Sequence, residues 1–149
     1  MKEYIIIGSL MILTILVSGC ITGDSSITGG AAADNSEYIK IPLSELSEDV
    51  KFYSFDDSGV EIKYFAVIGS DGEPRTAFDA CDVCGGDKGY KQEGQDITCR
   101  NCGRSFLIDG LGTQNKGSGC WPSYLPHKIE GDNLLIKISN IKGGKYQFN

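Results

Sequence analysis

Four cysteines constrain this chain more than any other feature. Cys81-Asp82-Val83-Cys84 and Cys99-Arg100-Asn101-Cys102 are two Cys-x-x-Cys pairs, separated by fourteen residues. Two intervening residues let both sulfurs of a pair turn toward one metal, and a second such turn completes a tetrahedral thiolate set. Gly85 and Gly86 follow the first pair and Gly103 the second. Such knuckle loops need a positive φ or room for N–H···S hydrogen bonds, and glycine supplies both. Metal ligation by Cys81, Cys84, Cys99 and Cys102 is therefore the leading expectation. Two structural disulfides are its rival in an exported chain. A thioredoxin-type dithiol would need a βαβ context that the sequence lacks. Spacing does not separate structural zinc, a mononuclear rubredoxin-like iron and an iron–sulfur cluster. On spacing alone zinc is the default.

Export is read from the other end of the chain. Ile5 to Val17 is an apolar run of thirteen residues, closed by Ser18 and Gly19 directly before Cys20. A signal-peptide core runs about 7–15 residues whereas a spanning helix needs about 20. Val17-Ser18-Gly19-Cys20 resembles a lipobox, so residues 1–19 are expected to be a signal peptide and Cys20 a lipidated N-terminus. The rival is an uncleaved anchor helix. Either places the domain at the extracytoplasmic face of the cell membrane. Residues 20–36 form the lipidated N-terminus and a Gly/Ser/Thr/Ala tether, whose last ~16 residues reach roughly 20–25 Å.

Residues 37–149 have the length of one ordinary domain. Tyr38 to Ile41 and Val50 to Phe55 alternate as strands and Val60 to Ile68 reads as another, with turn signals at Asp56 to Gly59 and Ser70 to Pro74. His127 to Glu130 and Leu134 to Ser139 flank Gly131-Asp132-Asn133 as a hairpin, and Lys145 to Phe148 reads as a last strand. No stretch keeps a helical period over three turns. The class is all-β, a small sandwich-type domain carrying two Cys-x-x-Cys loops. A net charge of −6 argues against a nucleic-acid surface, and a single histidine, His127, leaves little for His-dependent catalysis. No catalytic triad, phosphate loop or carboxylate pair is found, so the chain reads as an electron carrier more than a catalyst.

Two resemblances refine this reading. Ile97 to Phe106 (ITCRNCGRSF) is similar to the second cluster loop of a Rieske domain, and Leu125 to Ile138 resembles the closing Rieske hairpin. Both Rieske histidines are missing, with Cys102 in the place of one. The fuller likeness is to the FtrD-like membrane iron–sulfur family. It rests on Ala77 to Cys84 (AFDACDVC), Gly89 to Gly94 (GYKQEG), Cys99 to Phe106, and Gly119-Cys120. After Cys120 the family leads one to expect an Asn-Pro-Ala-Pro-like run, and this chain has Trp121-Pro122-Ser123-Tyr124 instead. The resemblance implies a Rieske-like β fold and an iron–sulfur centre or mononuclear iron at Cys81, Cys84, Cys99 and Cys102. It also implies a role in one-electron transfer beside a membrane redox or iron-transport complex. Four thiolates would put a [2Fe–2S] potential toward roughly −400 mV. Zinc stapling a binding module, or an iron-loading protein, are the alternatives. Cys120, in a loop resembling the one that covers a Rieske cluster, is a possible further ligand, a redox thiol or a packed core residue.

Overall fold

The computed structural model describes residues 37–86, 88–117 and 119–149. The expected signal peptide, Cys20 and tether lie outside them. Among the described residues ten strands run in chain order: β1 (Tyr38–Pro42), β2 (Lys51–Asp57), β3 (Val60–Ile68), β4 (Pro74–Cys81), β5 (Tyr90–Glu93), β6 (Asp96–Cys99), β7 (Ser105–Leu107), β8 (Pro122–Tyr124), β9 (Lys128–Glu130) and β10 (Asn133–Lys137). They form three antiparallel sheets, ordered β1-β10-β9, β2-β3-β4-β8 and β5-β6-β7. The domain is mostly β, as the alternating pattern predicts.

Within the sheet β2-β3-β4-β8, β4 and the second half of β3 are buried on both faces, and the sequence of β3 explains how. Successive side chains of a strand point to opposite faces. Ile62, Tyr64 and Ala66, with Phe78 and Ala80 of β4, join one core with Ile39, Ile41, Leu134 and Ile136 of the first sheet. Phe65 and Val67, with Ala77 and Cys81, join a second core with Tyr90, Ile97, Cys99 and Phe106 of the third. The run Tyr64-Phe65-Ala66-Val67 is accordingly buried without interruption, as expected of a strand covered on both sides. Tight turns set the register. Ser58 and Gly59 both have positive φ (57° and 82°) between β2 and β3, the backbone that suits a two-residue hairpin.

The C-terminus departs from the sequence reading. Lys145 to Phe148 is not a strand: β10 is followed by a short helix α1 (Ile138–Gly143) and a 3-10 turn over Lys145–Gln147. Ile138 and Ile141 stand three apart, so a helical turn puts both against the core, where Ile141 is fully buried. Lys145 Nζ then bonds the Asp57 carbonyl (2.7 Å) and carboxylate (3.0 Å). This tertiary contact leaves no trace in local pattern.

His127 lies in this framework. Thr76 Oγ1 donates to the Leu125 carbonyl at 2.7 Å, so the His127 Nδ1–H donates to Thr76 Oγ1 at 2.8 Å. Burial, helped by the Arg75 charge, lowers the His127 pKa below its ordinary 6.5. A base with a depressed folded pKa stabilises the fold above its unfolded pKa, and that contribution fades as pH falls. Urea unfolding at pH 7.5 and pH 5.5 is therefore expected to show wild type losing stability toward pH 5.5. His127→Gln should show a smaller loss, and equal losses would contradict the assignment.

Candidate metal centre

The two Cys-x-x-Cys segments fold into matching knuckles at strand ends. Cys81 closes β4, the Gly85 N–H donates to the Cys81 carbonyl at 2.9 Å, and the Cys81 N–H donates to the Gly85 carbonyl at 3.0 Å. Cys99 closes β6, the Gly103 N–H donates to the Cys99 carbonyl at 2.9 Å, and the Cys99 N–H donates to the Arg104 carbonyl at 2.9 Å. Gly85 and Gly103 sit at φ of 70° and 73°, a left-handed backbone that is costly for any residue with a Cβ.

A third segment completes the site. β8 pairs with β4 so that Pro122 lies opposite Cys81, and the Asp82 N–H donates to the Trp121 carbonyl at 3.1 Å. Cys120 is thereby carried to the first knuckle. Its loop is tied by Trp121 Nε1 to the Thr113 carbonyl (3.1 Å) and by Asn115 Nδ2 to the Gly119 carbonyl (3.2 Å).

The sulfurs of Cys81, Cys84, Cys99 and Cys120 all lie within 4.8 Å of one another. Cys102 stands at the rim, exposed, with its Sγ 3.5 Å from that of Cys120. All five described cysteines thus meet in one place, but the compact group of four contains Cys120 where the spacing points to Cys102. The spacing argument counts knuckles and has no means of placing a loop eighteen residues further on. Tetrahedral thiolates about 2.3 Å from a metal lie roughly 3.8 Å from each other, so the group has the scale of a metal site.

The surroundings favour the thiolate at Cys81 and Cys102 and the thiol at Cys84 and Cys120. Burial alone would raise the Cys81 thiol, yet bonds from Cys120 and from the Cys84, Val83 and Trp121 backbone N–H groups bring it down to about 7. The Arg104 backbone N–H and the Cys120 contact lower Cys102. Burial pushes Cys120 up, helped by the neighbouring Cys81 and Cys102. The Tyr90 phenol, buried and raised, lies 3.9 Å from Cys120 Sγ. Phe106 packs edge-on to Tyr90 and Trp121, with centroids 6.4 and 5.3 Å away, in the same core as Cys81 and Cys99. Backbone N–H donors and buried sulfurs are the two properties that an electron-rich thiolate centre needs.

Residues 46–148 match the family described as membrane iron–sulfur containing protein FtrD-like. The chain belongs to that family. No curated protein is significantly similar in sequence. Among the described residues of this FtrD-like chain, no helix is long and apolar enough to cross a membrane. An all-sulfur donor set with N–H···S bonds, such as Val83 N–H to Cys81 Sγ at 3.4 Å, fits the iron–sulfur group in the family's description.

Several supporting residues escape sequence reasoning. Asp79 accepts the Tyr90 N–H at 2.6 Å; burial raises its pKa, against the Tyr90 bond and the Arg100 charge. Arg100 Nε in turn donates to the Tyr90 carbonyl at 2.8 Å. The C-terminal turn backs the first knuckle, with the Gly86 N–H donating to the Gln147 carbonyl at 2.9 Å. A Cβ on Gly86 would strike the Phe148 ring. The only local signal is glycine itself, at Gly86 and Gly89.

Gly89 and Gly94 give a controlled comparison. Both have positive φ (62° and 64°), so alanine at either costs roughly 1–2 kcal/mol of backbone strain. At Gly94 a Cβ meets nothing within 4 Å, whereas at Gly89 it collides with the Asp79 carboxylate. Gly89→Ala is expected to be the more destabilising by at least about 1 kcal/mol in chemical unfolding. Equal losses would show that Asp79 does not hold this turn.

Proposed function

We propose that this protein is a membrane-anchored, extracytoplasmic iron–sulfur protein that passes single electrons, linked to iron transport or another membrane redox system. The observation that carries the reading is the compact group of cysteine sulfurs in a chain of a membrane iron–sulfur family. When bound, the iron–sulfur group supplies one reversible electron. The protein's own part is to hold thiolates, to keep water from the buried Cys81 and Cys99, and to aim N–H donors and the Tyr90 hydroxyl at sulfur. The hydrogen bonds stabilise negative charge on the thiolates and the exclusion of water destabilises it, each to a different degree in the two oxidation states, so both act on potential.

The size of the sulfur group favours a second reading. Four sulfurs within 4.8 Å also suit one tetrahedral ion, either a mononuclear iron or a structural zinc. The protein would then be an iron-handling chain or a zinc-stapled binding module. Anaerobic purification separates these outcomes. Absorption at about 400–550 nm and iron in the sample are expected; a colourless protein with one zinc per chain would overturn the electron-transfer reading.

Anchoring has its own test. Cys20 is the lipidation site in this reading, and the apolar run before it is short for a stable span. Cys20→Ala is expected to move the processed protein from membrane to soluble fractions. Retention in the membrane, with no lipid label on wild type, would identify an uncleaved anchor helix.

A further inference from the structure

Five sulfurs surround a site that needs four. They are graded by exposure: Cys102 is exposed, Cys84 and Cys120 are half-buried, and Cys81 and Cys99 are buried. They are also continuous, since Cys102 Sγ lies 3.5 Å from Cys120 Sγ and Cys120 Sγ lies 2.7 Å from Cys81 Sγ. A line of thiols therefore runs from solvent into the second core.

Resting on the single-ion reading above, we infer that Cys81, Cys84, Cys99 and Cys120 are the resident ligands, and that Cys102 is an outer thiol through which metal enters. Cys120 is built into the framework by the β4–β8 pairing and packs against the second core. Cys102 sits on the solvent side of the second knuckle, outside the group of mutually close sulfurs. A divalent, thiophilic ion arriving from water meets Cys102 first and has Cys120 as its next sulfur. Transfer is by associative exchange: a bond to the next thiolate forms as the bond to the previous one breaks, with no change of oxidation state. The protons of the incoming thiols pass to solvent, as thiolate ligation requires. With the ion seated, Cys102 takes a proton back from solvent and is again a free thiol.

Cobalt(II), given anaerobically to the reduced full chain in detergent, probes both parts, because thiolate coordination is visible in its absorption. In the cobalt-loaded wild type, iodoacetamide is expected to label Cys102 alone among the five site cysteines while the metal stays bound. Cys102→Ser should reach the same cobalt content as wild type, but severalfold more slowly. Protection of Cys102 in the loaded protein, or loss of cobalt from a Cys102→Ser variant with wild-type circular dichroism, would make Cys102 a ligand and overturn the inference. An unchanged uptake rate would remove its loading role. Failure of wild type to bind cobalt, iron or zinc would instead overturn the metal reading itself.

Discussion

Strand β4 is the constraint on which the rest of the structure depends, because both of its faces are buried and its last residue is a cysteine of the site. Phe78 and Ala80 belong to one core and Ala77 and Cys81 to the other. The same strand pairs with β3 on one side and with β8 on the other. A shift of register by one residue would exchange its two faces, moving Phe78 out of the first core and Cys81 out of the second. Packing of the apolar residues thus fixes the position of the first sulfur, and β8 then positions Cys120 relative to it.

The second consequence is electrostatic. Thiolates grouped in a half-buried place repel one another and lose hydration, so they persist only where donors or a cation offset the charge. The knuckles supply backbone N–H groups without any charged side chain having to enter the core. Arg100 and Arg104 remain exposed at the second knuckle, Arg100 bonded to the Tyr90 carbonyl and Arg104 lying 5.8 Å from the Phe106 ring centroid. A bound cation would remove the remaining repulsion. Metal binding and folding would therefore be linked, as is usual for small thiolate domains.

Much of this was legible in the residues. The β-branched and aromatic run Val60 to Ile68, bounded by turn signals, marks β3 with its full length, and Gly131-Asp132-Asn133 marks the β9–β10 hairpin, because turn chemistry and strand composition are local. The two Cys-x-x-Cys knuckles are local too. What could not be read depends on contacts between distant segments. The place of Cys120 beside Cys81 follows from strand pairing across thirty-nine residues. The helical end of the chain follows from burial of Ile141 and from the reach of Lys145 to Asp57 across eighty-eight. Asp79, two residues before a cysteine knuckle, has the chemistry of a base, yet it serves as the hydrogen-bond acceptor that holds Tyr90.

The central claim is that the three converging loops form an all-thiolate metal centre. Metal-edge X-ray absorption on anaerobically purified protein tests it most directly, since it reports the atoms bound to the metal whatever the metal is. A first shell of sulfur alone, at about 2.3 Å for a tetrahedral thiolate ion, is the predicted result. A shell dominated by oxygen or nitrogen, or anaerobic protein with no metal and its cysteines paired as disulfides, would contradict the account.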